Sequence, residues 1–411
     1  MILMSLRDVR PGMLVGIGLR NKEGHVLLGP GVSLTAEYIR RLETLGYAAL
    51  WIDDEDTRDI PYSDTLSEAT RLAATNAVQD TFMLTTQETE KLRAVSVDEV
   101  RSVLENRGFR QAFENSGTIE RLTDQVDAVV GEVLDRAVLT GLGSLRTHNT
   151  YTYQHCLDVA VTASMLGRLI GYDRETLKRL AVGCILHDIG ILFANIALTE
   201  RPGALAGEEE DRVKDHTVLG YLFIRDSLKL GALPSHIAYQ HHERQDGQGY
   251  PRGLTGRNKI ARGAEVHVPG RIEPLAEIAA VADLHDTLSA DRPWRRRLPP
   301  DQVWQAISEA AGHHLNREIV EAFLAVLPPY PLGTQVVVTE GRWAGHGGVV
   351  ARFSHDRMDT PVIRLLTAPD GRRLEPVELD LDREGARIRG VLSVQDEGVE
   401  PQVAPGTAAR A

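Results

Sequence analysis

The chain has 411 residues, 42% hydrophobic and 25% charged, close to the usual soluble globular composition, which excludes a collagen-like, low-complexity or wholly disordered protein. At roughly 100 to 200 residues per domain, this length implies two to four domains. Acids outnumber bases by 58 to 46, a net charge of −12. That balance argues against coating a polymeric nucleic acid, because such binding runs on clustered positive charge.

Two cysteines, Cys156 and Cys184, sit in apolar helical contexts, so a reducing compartment is expected rather than a disulfide framework. No stretch reaches the roughly 18 apolar residues of a membrane span, and the start MILMSLRDVR is too short and too quickly charged for a signal peptide. The expected setting is cytoplasmic, with no membrane partner.

Residues 13–19 (MLVGIGL) and 25–28 (HVLL) flank the turn-prone NKEG and read as a strand hairpin. A helix follows, capped by Thr35, with Ile39, Leu42 and Leu45 on one face and Gly46 closing it before the strand AALWI. Residues 53–68 hold seven acids against Arg58 alone and read as a solvated linker. The pattern is helical from about 64 to 140, with Ile119, Leu122, Val126, Val129, Val130 and Val133 on one stripe. Further helices occupy 152–327, interrupted by the Gly-rich DGQGYPRGLTG at 246–256. Four strand-like runs follow, TQVVVTE, GGVVARF, PVIRLL and ARIRGVL, and then a Pro, Gly and Ala rich tail. The expected fold class is mainly α: a small N-terminal α+β domain and acidic linker (1–60), a helical connector (61–145), an all-helical domain (146–328), a small C-terminal β domain (329–392) and a disordered tail (393–411).

Nine of the 14 histidines fall between 148 and 285. His155 shares a stripe with Val159, Ala163 and Leu166. His187 and Asp188 continue the buried face of Leu177, Leu180, Ala181 and Cys184, in a helix that Asp173 can cap. His216 lies between Val213 and Leu219; His241 and His242 follow Ile237 and Ala238 by four; Asp283 shares a stripe with Ala276, Ala279 and Ala280. Five histidines and two aspartates on inward faces are costly to bury unless paired or bound to cations. A mixed imidazole and carboxylate set without thiolates suits Fe, Mn or Zn. Seven ligands exceed the need of one ion, so two ions sharing a carboxylate are implied, with Asp188 as the bridge.

HCLDVAV (155–161), HDIG (187–190), HTVLG (216–220), HHERQDGQGYP (241–251) and VADLHDTLSADRP (281–293) resemble the HD-GYP family of cyclic di-GMP phosphodiesterases, a branch of the HD-domain metal-dependent phosphohydrolases. The likeness spans about 150 to 327. It implies that His155, His187, Asp188, His216, His241, His242 and Asp283 are metal ligands, with Asp188 and His187 central to catalysis. It further implies two divalent transition-metal ions, Fe or Mn, and hydrolysis of cyclic di-GMP to linear pGpG, with GMP as an open second product. Arg292 and Arg295 match positions that meet the ligand's phosphates, and Asp246 and Tyr250 are candidate substrate contacts as well as turn formers. The partners implied are cyclic di-GMP and signalling proteins such as a diguanylate cyclase, with a homodimer as the assembly.

The chain departs from the family pattern at three places. Tyr151 stands where some members carry a Glu supporting a third metal, Ile191 where the family has Lys, and Glu277 where it has Arg. Ile191 keeps two other readings open: a module that binds cyclic di-GMP or a protein without cleaving it, or a hydrolase of another nucleotide. Elsewhere, His313 and His314 read as the approach to a helix capped by Asn316. His285 is expected to face solvent, and Asp286 to orient a ligand or to pair with Arg292.

Overall fold

The computed structural model describes residues 1–20, 26–45, 47, 49–61, 65–90, 97–135, 151–193, 207–261, 268–290, 297–354 and 357–390. The N-terminal unit comprises strands Ile2–Ser5 (β1), Leu14–Val15 (β2), Leu19–Arg20 (β3) and Val26–Leu28 (β4), helix Ala36–Thr44 (α1) and strand Ala49–Asp53 (β5). β5 lies between β1 and β2, antiparallel to both. The hairpin is shorter than its sequence signal, since only β3 pairs with β4. Val15 instead pairs with Ile52 and is 1% exposed, burial that the outer ribbon, where Val26 is 55% exposed, does not offer. Thr35 caps α1 by accepting from the Tyr38 N–H at 3.1 Å. The hairpin turn and Gly46 lie outside the described residues.

The helical body comprises Glu68–Thr89 (α2), Val97–Leu104 (α3), Arg107–Ser116 (α4), Thr118–Asp135 (α5), Tyr151–Ile170 (α6) and Arg174–Leu186 (α7), then a 3-10 turn at Ile189–Phe193. Glu208–Lys214 (α8), His216–Leu222 (α9), a π turn at Phe223–Leu228, Ala232–Gln240 (α10), Pro274–Ser289 (α11), Pro300–Ala310 (α12) and Arg317–Leu324 (α13) complete it. One core runs through it, joining Val78 and Phe82 of α2 and Val126 and Val130 of α5 to Val159, Leu180, Ile278 and Phe323. The segment expected as a connecting bundle therefore shares its core with the helices that follow. Phe109 and Phe113 meet Phe223 edge-on, with ring centres 6.2 and 5.2 Å apart. Such contacts add about 0.5–1.5 kcal/mol beyond area burial. Arg71 of α2 reaches Asp158 of α6 at 2.6 Å. Cys156 and Cys184 are both buried and free. No helix among the described residues is long and apolar enough to cross a membrane.

The C-terminal unit is one antiparallel sheet of Gln335–Val338 (β6), Gly347–Ser354 (β7), Arg357–Thr367 (β8), Arg373–Asp380 (β9) and Ile388–Gly390 (β10), with a short helix Leu381–Glu384 (α14). The strand order is β10-β6-β7-β8-β9. Four strands are the runs expected. β9, RLEPVELD, carries no alternating strand signal, because it is an edge strand with one buried residue, Leu379, and an edge tolerates Pro376 and a charged outer face. The tail from 391 onward, including the segment expected to be disordered, lies outside the described residues.

The acidic stretch is not a solvated linker. Asp54 and Asp56 pair with Arg373 at 3.0 and 2.6 Å, and Asp59 meets Arg364 in a fork. Ile60 is 2% exposed and packs with Ile2, Val349 and Ala351. The counter-charges come from β8 and β9, some 300 residues away, where no local pattern reveals them.

Candidate metal centre

Each of the seven inward residues arrives from a helix or its end. His155 sits in the first turns of α6, His187 caps the C-terminus of α7 and Asp188 follows it, His216 opens α9, His241 caps α10 with His242 next, and Asp283 lies mid-way along α11. None is more than 6% exposed. Asp173 starts α7 as expected, accepting from the Thr176 N–H at 2.8 Å. Gly190 is the hinge of the arrangement: a Cβ there would collide with the His216 carbonyl oxygen, so only glycine lets the turn after Asp188 rest on the start of α9.

Two groups result, each with its ligand atoms within 4.8 Å of one another: His155, His187 and Asp283, and Asp188, His216, His241 and His242. Asp188 stands between them. Its Oδ2 lies 3.4 Å from His187 Nε2 and 3.8 Å from His155 Nε2. Its Oδ1 lies 3.4 Å from His216 Nε2 and 3.6 Å from His241 Nε2.

The backbone fixes the imidazole tautomers. Nδ1 of His187 lies 2.6 Å from the Cys184 carbonyl oxygen, that of His216 2.6 Å from Val213 and that of His241 3.0 Å from Ala238. A carbonyl only accepts, so each Nδ1 donates and each Nε2 keeps its lone pair in the neutral ring. His216 and His241 then face each other Nε2 to Nε2 at 3.3 Å, and the buried His242 Nε2 has no hydrogen-bond partner among the described residues. Converging lone pairs beside buried carboxylates need a cation between them. The donor set fits a divalent transition metal of the N/O-preferring kind.

The ionisation equilibria show the negative charge gathered at the site, which a proton or a cation can answer. Burial disfavours charge on His187, yet Asp188 and Asp283 outweigh it and raise its pKa to about 9. Burial lowers that of His216 to about 4 and pushes His242 well below its ordinary value, His241 adding to both. Burial would raise Asp188, but the surrounding imidazoles hold it well below the carboxylate range.

A second layer holds the candidate ligands. His155 Nδ1 meets Asp286 Oδ2 at 2.6 Å, the orienting role expected for Asp286, and Thr287 donates to Asp283 at 3.3 Å. The Gly-rich loop is pinned by residues that the sequence pattern left unremarked. Buried Glu243 accepts from the Arg252 and Leu254 N–H groups at 2.8 and 2.7 Å, and Gln245 donates to Glu277 at 2.6 Å. Glu277 also accepts from Asn316 at 2.9 Å; its pKa is raised to about 7 by burial despite these two donors. Asn316 caps α13, and the His313 and His314 carbonyls accept from the Asp246 and Gln245 N–H groups. That pair thus props the loop with its backbone. The buried Asp158, three residues after His155, could have been found from the helical period of HCLDVAV.

Of the substrate candidates, Tyr250 stacks on His242 with ring centres 4.7 Å apart. Asp246 forks onto Arg244 at 3.0 and 2.7 Å and accepts from the Gln248 N–H, which sets the turn. Arg292 and Arg295 lie outside the described residues. His285 does not face solvent: it is 6% exposed and meets Phe323 edge-on at 5.3 Å, because α11 is buried nearly all round.

Residues 142–319 match the family model described as the HD domain. The chain carries an HD domain. HD-domain phosphohydrolases are metal-dependent, in keeping with the two His and Asp groups. The chain is 26% identical over 358 residues to a cyclic di-GMP phosphodiesterase of Pseudomonas aeruginosa, covering 85% of this chain and 81% of that protein. It is 31% identical over 219 residues to a cyclic di-GMP phosphodiesterase of Thermotoga maritima, covering 52% of this chain and 54% of the relative. It is 28% identical over 243 residues to 3′3′-cGAMP-specific phosphodiesterase 3 of Vibrio cholerae, covering 57% and 49%. The chain thus spans most of the first relative's length and about half that of the other two. The HD-GYP resemblance read from the motifs holds.

Proposed function

We propose that this protein is a metal-dependent phosphodiesterase that hydrolyses cyclic di-GMP to pGpG in a reducing, cytoplasmic setting. The observation that carries the reading is the placing of Asp188, one carboxylate oxygen toward each of two buried ligand groups. His155, His187 and Asp283 would hold one Fe or Mn ion, and His216, His241 and His242 the other, with Asp188 shared. When bound, such ions supply Lewis-acid stabilisation of the phosphate and a lowered pKa for water.

The chain's own groups do the rest. The carbonyl-anchored histidines keep their Nε2 atoms aimed inward, so little reorganisation accompanies binding. The Gly-rich loop closes over His242 through Tyr250, whose hydroxyl is buried and has no hydrogen-bond partner among the described residues, leaving a donor for a phosphate oxygen. Arg292 and Arg295 would add bidentate phosphate contacts, and Asp246 a contact at the loop's rim.

The relative specific for 3′3′-cGAMP supports a second substrate reading. Protein purified anaerobically, assayed for bound metal and for turnover of cyclic di-GMP, 3′3′-cGAMP and cyclic di-AMP, tests both. Fastest release of pGpG is expected. Faster cleavage of 3′3′-cGAMP reassigns the substrate, and tight cyclic di-GMP binding without product with both metals loaded makes the protein a sensor.

A further inference from the structure

The last residue of α8, Lys214, places its ammonium 5.7 Å from the centre of the Tyr250 ring. Tyr250 stacks on His242 at an interplanar angle of 27°, so the cation, the phenol ring and the buried imidazole form one run of contacts ending in the Asp188 group. The buried Tyr250 hydroxyl has no hydrogen-bond partner among the described residues, the condition that a bound acceptor relieves.

Lys214 is held by Glu210 at 2.7 Å, an i,i+4 pair on α8 whose side chains are 33% and 36% exposed. So exposed a pair contributes little, and its ammonium can exchange one anion for another at small cost. Ile191, following the Gly190 that packs against His216, offers no charge on the other chain segment of that contact.

We propose that Lys214 is a phosphate-binding residue of this site, passed from the Glu210 carboxylate to a substrate phosphate, with the Tyr250 hydroxyl donating beside it. The inference rests on the phosphodiesterase reading. A cyclic dinucleotide carries two phosphates on opposite sides of its ring. With one at the buried His and Asp groups, the other would lie outward, on the side of the part-exposed Lys214. Glu210 then competes with the substrate for the same ammonium.

Glu210 and Lys214 should therefore act in opposite directions, which a merely structural ion pair would not. Lys214→Met should raise KM for cyclic di-GMP roughly ten- to hundredfold, with kcat changed less than about threefold and metal content unaltered. Lys214→Arg should restore most of the affinity, and Glu210→Gln should lower KM about two- to threefold. A binding arm needs neither turnover nor guanine recognition: calorimetric Kd values for the linear dinucleotides pGpG and pApA, which carry two phosphates each, should both weaken in Lys214→Met. Unchanged Kd and KM in Lys214→Met, or the same direction of change in both variants, overturns the proposal. Wild type that fails to cleave cyclic di-GMP while Lys214→Met still weakens binding of both linear dinucleotides overturns the substrate reading and leaves the phosphate contact standing.

Discussion

His155 Nδ1 lies 2.6 Å from Asp286 Oδ2, and His155 Nε2 on the far side of the ring lies 3.3 Å from Asp283 Oδ1. The carboxylate of Asp286 thereby fixes the ring's rotation and raises the basicity of the nitrogen that faces the site. Partners of this kind typically carry a 10- to 100-fold share of metal affinity. Asp286→Ala should lose that much in chelator competition, while Asp286→Asn, which keeps an acceptor but not the charge, should lose less. Equal losses in both would assign the effect to charge alone.

Asp188 and Asp283 make a sharper comparison, because only Asp188 faces both groups. Elemental analysis of the anaerobic protein should give close to two ions per chain. Asp188→Ala should give close to none, and Asp283→Ala close to one, since the His216, His241 and His242 group is untouched by the latter. One ion retained in Asp188→Ala would mean that the two groups bind independently.

The inward placing of the seven candidate ligands was legible in the sequence because each shares a helical stripe with apolar neighbours; His155 with Val159 and Ala163 is the plainest case. Local periodicity cannot say what lies across the fold. Lys214 sits in EEEDRVKDH and reads as one more solvated charge, yet its ammonium meets Tyr250, 36 positions on. A stripe argument fails for His285 because it assumes that a helix has a wet side, and α11 is buried from Pro274 through Asp283 without a break. The acids of 53–68 were read from their own composition, while their partners Arg364 and Arg373 lie in strands of another unit.

That interface should respond to charge removal. Arg364 is 13% exposed, donates to Asp59, Glu378 and the Asp56 carbonyl, and holds Asp59 down at a pKa of about 2 through their hydrogen bonds. With the folded pKa below the ordinary 3.8, the pair's stabilisation is present above about pH 3.8 and is lost as pH falls through about 2. Asp59 itself is 67% exposed, so the ion pair alone contributes within about 1 kcal/mol. Arg364→Ala also strands the Asp56 carbonyl and should cost about 1–3 kcal/mol. Limited proteolysis at neutral pH should then cut faster near residues 328–334. Cleavage at the wild-type rate would mean that the apolar contact of Ile60 with Val349 and Ala351 suffices for docking.

Ile191 tests how much of the phosphate contact the chain already possesses. It lies in the 3-10 turn after Asp188, half-buried, with its N–H donating to the Asp188 carbonyl at 2.9 Å. A lysine there would keep that backbone bond and add an ammonium at the site's mouth, where a charge-assisted bond to a phosphate oxygen is worth roughly 1.5 to 3 kcal/mol, one to two orders of magnitude in rate. If Lys214 already meets a phosphate, a second ammonium adds less than its full worth, because neighbouring groups acting on one ligand are not additive. Ile191→Lys should therefore raise kcat/KM by about tenfold or less in the wild-type background and by a larger factor in Lys214→Met. The four proteins form a double-mutant cycle measured by pGpG release. Equal gains in the two backgrounds would show that residues 191 and 214 address the ligand independently. A loss in both, with a lowered Tm, would mean that the new charge is buried without a phosphate partner and that the turn after Asp188 requires an apolar side chain.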